Sequence, residues 1–222
     1  MAKFSQTPQY SNNFANGVSK ALELHKYQIR KDNTPYAAHL LKVCGECLRL
    51  GYFIDSKSTV AEQLLNSSGL SNLGELTALA GVFHDTLEDI PNMSETMAIK
   101  LLTPRLGKYI LPIVKEVSEN ENLSGFEAKE HYANKIAGMS TFALIVSIVD
   151  KCDNIEGYYN LLCRRYSFDI EAVIKFYKLL LPAYKNRIKL GNPTLKKNLE
   201  EKLNFMAQNT CKLIAYTQNS QS

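Results

Sequence analysis

The sequence has no apolar run long enough to cross a bilayer: the longest, Phe142 to Val149, falls far short of the roughly 20 residues that a spanning helix needs. No positively charged start followed by an apolar stretch opens the chain, so a secretory leader is not expected and the compartment expected is the cytoplasm. The five cysteines (Cys44, Cys47, Cys152, Cys163 and Cys211) are odd in number and include only one C-x-x-C element, which argues against a disulfide framework or a four-cysteine zinc site. Cys44-Gly-Glu-Cys47 falls inside a helical pattern and reads as two small buried side chains. A basic run is missing too. With 26 Lys+Arg against 22 Asp+Glu the net charge is only +4, and the scattered lysines suit a small polyanion better than a nucleic acid. Alternating strand patterns, internal repeats and low-complexity segments are likewise lacking. No oligomeric state is favoured.

What remains is helical periodicity. The 222 residues, 45% of them hydrophobic, suffice for one all-α domain over 1–222, with a core of about 14–190 and a C-terminal helix over 195–216. The polar ends, Met1 to Asn13 and Thr217 to Ser222, read as frayed. Phe14, Val18, Ala21, Leu22 and His25 make a first stripe, broken at Asp32-Asn33. Thr34 as N-cap and Pro35 at the first helical position open a second helix to Leu50, with Gly51 supplying a left-handed cap. A short helix is expected over Thr59 to Leu65 and another, capped by Ser94, through Leu102. Gly107 should end that one, and Pro112 should place the start of the next near Leu111. Beyond the acidic loop Glu119 to Gly125, the run Thr141 to Val149 continues into Asp150, Asp153 and Asn154 at helical spacing. Ile170 to Ala183 and Leu195 to Tyr216 are the last two amphipathic patterns, separated by Gly191-Asn-Pro193.

The chemistry concentrates between Leu79 and Pro91. The pattern predicts a helix over Thr77 to Asp89, stopped by Pro91, with His84 below Glu88 and Asp85 below Asp89. Three carboxylates at a helix C-terminus each oppose the macrodipole by roughly 0.3–1 kcal/mol, so a compensating cation is expected. With His39 near the start of the second helix and Asp150 at the end of the apolar run, His84 and Asp85 complete a two-nitrogen, two-oxygen donor set. Such a set suits manganese, iron or zinc better than calcium.

Ordered along the chain, the segments His25-Lys-x-Gln28-x-Arg30-Lys31-x-x-Thr34-Pro35-Tyr36-x-x-His39, His84-Asp85-x-x-Glu88-Asp89 and Asp150-Lys151-x-x-Asn154 carry a resemblance. They resemble HD-domain metal-dependent phosphohydrolases, and among these the alarmone hydrolases: the hydrolase half of Rel/SpoT proteins and the small alarmone hydrolases. The resemblance implies a guanosine nucleotide substrate, with removal of the 3′-pyrophosphate of guanosine tetra- or pentaphosphate to leave GDP or GTP. It implies His39, His84, Asp85 and Asp150 as ligands of Mn²⁺, and Glu88 and Asp89 beside the attacking water. Arg30 and Lys31 would lie against the nucleotide and Asn154 near its ribose. No synthetase domain is expected after the C-terminal helix.

The chain also departs from that pattern. Leu40 follows His39 where proline is usual, 56–72 reads as an insertion, and Ser147 and the Glu119 to Glu121 loop stand where relatives often carry lysines. Two other functions therefore stay open: a phosphohydrolase of another nucleotide (a dNTP, a nucleoside monophosphate or NADPH), and a nucleotide-binding module without turnover. Arg164, Arg165, Tyr177 and Lys178 read as surface residues, and Tyr158-Tyr159 as packing rather than base stacking.

Overall fold

A computed structural model of the chain describes residues 10–55, 59–102, 104–189 and 192–219. Among them every regular element is helical, and the sole β feature is an isolated bridge between Ile29 and Pro35. In chain order the helices are α1 (Asn12–Leu24), α2 (Tyr36–Gly51), α3 (Thr59–Ser68), α4 (Leu73–Val82), α5 (Thr86–Asp89) and α6 (Glu95–Leu102). Then follow α7 (Pro104–Val117), α8 (Gly125–Lys135), α9 (Thr141–Cys163), α10 (Ile170–Arg187) and α11 (Pro193–Asn219). A 3₁₀ turn over Ile136–Gly138 links α8 to α9. The all-α architecture agrees with the periodicity.

α4 is the axis of the assembly. Every residue from Leu73 to Val82 is buried, as expected of a helix apolar on all sides. α2 packs along it closely because glycines remove the intervening side chains. A Cβ on Gly81 would lie 2.9 Å from Cys47 Sγ, and one on Gly51 would lie 2.7 Å from the Gly74 Cα. The first half of α9, Ala143 to Asp150, is buried as a block; α2, α4, α7 and α11 pack against α9, and α10 reaches it through Tyr177 and Tyr184. Three elements that carry polar residues at their ends thus meet around one point.

Several local expectations are corrected. The helix expected from Thr77 to Asp89 stops at Val82; Phe83 to Asp85 form a turn, and α5 restarts at Thr86. Thr34 does not cap α2, since its hydroxyl donates to Asp32 Oδ1 at 2.6 Å and Pro35 occupies the cap position. Asn33, at φ 64°, makes the reversal that leads there. Gly51 belongs to the helix rather than to a left-handed cap; it serves the close approach to Gly74. Gly107 and Pro112 both lie inside α7. An interior proline costs roughly 3 kcal/mol, but Leu106, Ile110, Ile113 and Val114 on the same helix are buried, and each large apolar side chain contributes about 1.5–3 kcal/mol. Packing outweighs the lost hydrogen bond. Asn12 and Asn13 are helical and α11 continues to Asn219, so these parts of the ends expected to fray belong to helices. Residues 1–9 and 220–222, residues 56–58 of the expected insertion, and Gly191 lie outside the described residues. Most of the rest of that stretch is α3, tied to α7 by Arg105 Nε donating to the Ser67 carbonyl at 2.5 Å.

Candidate metal centre and adjoining cleft

His39 sits in the first turn of α2, His84 and Asp85 in the turn between α4 and α5, and Asp150 on the buried half of α9. Their donor atoms converge. His39 Nε2 and His84 Nε2 are 3.4 Å apart. Asp150 Oδ1 lies 3.4 Å from the first and 3.3 Å from the second, while Asp85 Oδ2 lies 3.8 Å and 2.8 Å from them. Donor atoms of His39, His84 and Asp85 all lie within 4.8 Å of one another. All four residues named from the sequence as candidate ligands are therefore brought together.

The histidine tautomers follow from their other nitrogens. His39 Nδ1 faces Asp153 Oδ2 at 2.7 Å and His84 Nδ1 faces the Gly81 carbonyl at 2.7 Å; both partners can only accept, so both Nδ1 atoms carry the proton. Each Nε2 is left to present a lone pair to the same point, beside two carboxylates. That arrangement repels itself unless a positive charge sits within it. A divalent ion about 2.0–2.2 Å from each donor would set neighbouring donors roughly 3–3.5 Å apart; the separations among His39, His84 and Asp150 fall in that range, while those from Asp85, 3.8 Å and 2.8 Å, lie on either side of it. The field acts on the residues in the same sense. Burial disfavours a charged His39, but hydrogen bonds to Asp150, Asp153 and Asp85 outweigh it and push the imidazole up to about 9. Asp150 is likewise opposed by burial, yet Lys151 and His84 hold it well below the usual carboxylate range. A centre that attracts a proton this strongly suits a metal cation.

Around the donors lies a hydrogen-bonded surround. Asn154 donates to Asp150 Oδ1 at 2.8 Å, and Lys151 Nζ lies 2.7 Å from Asp150 Oδ2. The Tyr36 hydroxyl donates to Asp85 Oδ2 in a short hydrogen bond, and the Tyr36 ring stacks on His25 at 5.3 Å. Arg30 is held by both terminal nitrogens: NH1 lies 2.5 Å from Asp153 Oδ2, and NH2 donates to Asn154 Oδ1 at 3.1 Å. Tyr36, Lys151 and Asp153 were given no role from the sequence. Asp153 shares a helical face with Asp150, but the partner that gives it a role, His39, lies on another segment.

Glu88 and Asp89 flank this centre from α5. Since α5 restarts after the turn, they do not stack above His84 and Asp85 as on one continuous helix, although the Asp85 carbonyl still accepts from the amides of Glu88 at 3.1 Å and Asp89 at 2.8 Å. Glu88 Oε1 accepts from the Glu119 amide at 2.9 Å. Burial, reinforced by the nearby Asp85, raises the Glu88 carboxyl above its ordinary value. Asp89 Oδ2 accepts from Gln28 Nε2 at 2.7 Å, and Gln28 Oε1 accepts from His25 Nδ1 at 2.6 Å. The His25-x-x-Gln28 part of the motif therefore orients Asp89.

Beside the donors opens a cavity of about 550 Å³ lined by Lys31, Lys129, Lys151, Asn154 and the rings of Phe126, Tyr158, Phe168, Phe176 and Tyr177. A smaller one of about 230 Å³ shares Lys31, Asn154 and Tyr158 and adds Arg30, Tyr36 and Leu161. Tyr158 thus lines both cavities, where the sequence suggested packing alone, and Tyr177 lines the larger while donating to the Lys151 carbonyl at 2.8 Å. Arg164, Arg165 and Lys178 line neither. Ser147 is buried, hydrogen-bonded at 2.6 Å to the Tyr132 hydroxyl and 2.5 Å to that of Tyr184. On the other side of Glu88 a wider opening is lined by Glu95, Glu119 and Glu121.

No protein-family model and no curated protein matches the chain. A solved structure described as "a metazoan ortholog of SpoT" that "hydrolyzes ppGpp and plays a role in starvation responses" is similar over 90% of this chain and 97% of that one, with a TM-score of 0.59 and 20% identity. At that identity the similarity is one of fold: the chain shares the all-α architecture of that protein. The agreement extends over most of both chains.

Proposed function

We propose that the chain is a metal-dependent pyrophosphohydrolase that removes the 3′-pyrophosphate of guanosine tetra- or pentaphosphate, giving GDP or GTP. The observation that carries this reading is the convergence of His39, His84, Asp85 and Asp150 beside a cavity of nucleotide size. These four residues would hold the ion, with Mn²⁺ the candidate that the donor set allows and the motif resemblance implies. A divalent cation held there would supply Lewis acidity, making a water more acidic and offsetting charge on the phosphoryl oxygens. The chain's own residues supply the rest. Glu88, with one oxygen held by the Glu119 amide and its carboxyl raised by burial, takes the proton from the attacking water. Asp89, oriented by Gln28, holds that water in line. The bond from water oxygen to phosphorus forms as the bond to the nucleoside 3′ oxygen breaks, and pyrophosphate leaves intact. Lys31, Lys129 and Asn154 meet the phosphates and ribose along the larger cavity, and Tyr158 meets the base.

One feature favours a second reading. Beyond Glu88 the opening carries Glu95, Glu119 and Glu121 against a single lysine, Lys115, which is paired with Glu95, so that side of the cleft is poorly suited to an extended polyphosphate. A nucleotide with fewer phosphates suits it better. The test is incubation of Mn²⁺-loaded protein with guanosine tetraphosphate beside dNTPs, nucleoside monophosphates and NADPH. Release of GDP and pyrophosphate from the first supports the main reading; hydrolysis of another compound alone transfers the assignment to that nucleotide. Binding without turnover of any of them leaves a nucleotide-binding module.

A further inference from the structure

We propose that Asp153 and Arg30 are positioning residues for the metal centre: Asp153 fixes His39 in its ligating tautomer, and Arg30 fixes Asp153. This rests on the metal reading above. Asp153 Oδ2 accepts from His39 Nδ1 at 2.7 Å and from Arg30 NH1 at 2.5 Å, while Oδ1 takes Lys42 at 2.7 Å. A carboxylate behind a ligating imidazole keeps the proton on the rear nitrogen, holds the ring plane and makes the front nitrogen a stronger donor. Arg30 closes a circuit. Its NH2 donates to Asn154 Oδ1, and Asn154 in turn donates to Asp150 Oδ1, so the guanidinium braces one candidate ligand through Asp153 and another through Asn154.

The berth for that guanidinium is built into α9. Gly157 lies one turn beyond Asp153, and a Cβ there would come within 3.1 Å of Arg30 NH2. Asp153 is buried, with Oδ2 turned to the imidazole and Oδ1 to Lys42. A buried carboxylate also needs compensation, which Arg30 provides without adding a hydrogen-bond acceptor that would compete for His39. Arg30 therefore acts through the donor set, and phosphate recognition falls to Lys31 and Lys129, which line the larger cavity.

Calorimetric titration of the full chain with Mn²⁺ tests this, with Tm as the check on folding. Asp153→Asn and Arg30→Ala should each weaken Mn²⁺ binding at least tenfold, within the 10–100-fold typical of residues behind a ligand. Lys42→Met removes an ion pair on the far oxygen and should leave the affinity at the wild-type value. In Zn²⁺-loaded protein, the His39 Nδ1–H proton should resonate far downfield and exchange slowly in the wild type, and move upfield and exchange faster in Asp153→Asn, where a neutral oxygen replaces the carboxylate. Wild-type Mn²⁺ affinity in Asp153→Asn and Arg30→Ala, with only Tm lowered, would reduce the pair to an ordinary salt bridge and overturn the proposal. Failure of the wild type itself to bind Mn²⁺ overturns the metal reading, and this inference with it.

Discussion

At the scale of single residues, the site divides into atoms that face the common point and atoms that face the cleft. Asp85 and Asp150 face the point, each within 3.4 Å of a His84 nitrogen. Asp85→Ala or Asp150→Ala should therefore purify without the divalent ion, as elemental analysis would show; full occupancy in both variants would mean that the ligand set is wrong. Glu88 and Asp89 have their contacts elsewhere, with the Glu119 amide and Gln28. Glu88→Gln and Asp89→Ala should keep the metal and lose roughly 10²–10⁴-fold in kcat, the range of general-base assistance. Retained turnover in both would remove them from the mechanism. The side chains of the donor set could be named from their types and order in the chain, because imidazole and carboxylate are what a borderline cation needs. Asp153 and Tyr36 were missed for a physical reason. Their roles exist only through Oδ2 of Asp85 and Nδ1 of His39, which belong to other segments, so no spacing along the chain encodes them.

At the scale of elements, the decisive contact is the one between α2 and α4, since it sets His39 against His84. Its spacing depends on glycine. An added methyl at Gly81 would meet Cys47 Sγ at 2.9 Å and Cys47 Cβ at 3.2 Å, both in the buried centre. Gly81→Ala should cost about 1–3 kcal/mol, the usual range for overpacking, and should be partly relieved by Cys47→Ala in the same chain. Thermal unfolding of the two single variants and the double variant measures this; strict additivity would show that the two helices are not in register here. The helices themselves were legible, because apolar residues at i, i+3 and i+4 mark α1, α2, α9, α10 and α11 whatever their partners. The interruption after Val82 was not. Leu79, Phe83 and Leu87 keep helical spacing through it, while the turn is made by contacts such as His84 Nδ1 donating to the Gly81 carbonyl. A side-chain bond that competes with the helix ladder leaves no trace in hydrophobic periodicity. Pro112 misled in the opposite direction: its local cost is real, but burial along α7 exceeds it.

At the scale of the whole molecule, the donor set joins α2, the α4–α5 turn and α9, whose ligands are separated by 45 residues between His39 and His84 and by more between Asp85 and Asp150. No sequence pattern shows that three such segments meet; that follows only from α4 being buried on every side, with α2 and α9 against it. A cation at their junction would act as a crosslink between distant parts of the chain. Because the unfolded chain cannot hold the four donors together, binding should stabilise the fold by mass action, about 2.7 kcal/mol at a free ion concentration of 100 Kd. For a chain of this size 1 kcal/mol corresponds to roughly 2–4 °C, so saturation with Mn²⁺ should raise Tm by about 5–11 °C over chelator-treated protein. The rise should vanish in Asp150→Ala, which removes the α9 arm of the crosslink while leaving α9 buried along its apolar face. Differential scanning calorimetry with and without chelator decides the matter. An equal rise in Asp150→Ala would place the stabilising ion somewhere other than this junction, whereas its loss there, with the helical circular dichroism spectrum intact, ties the stability of the whole fold to the four residues that the proposed chemistry uses.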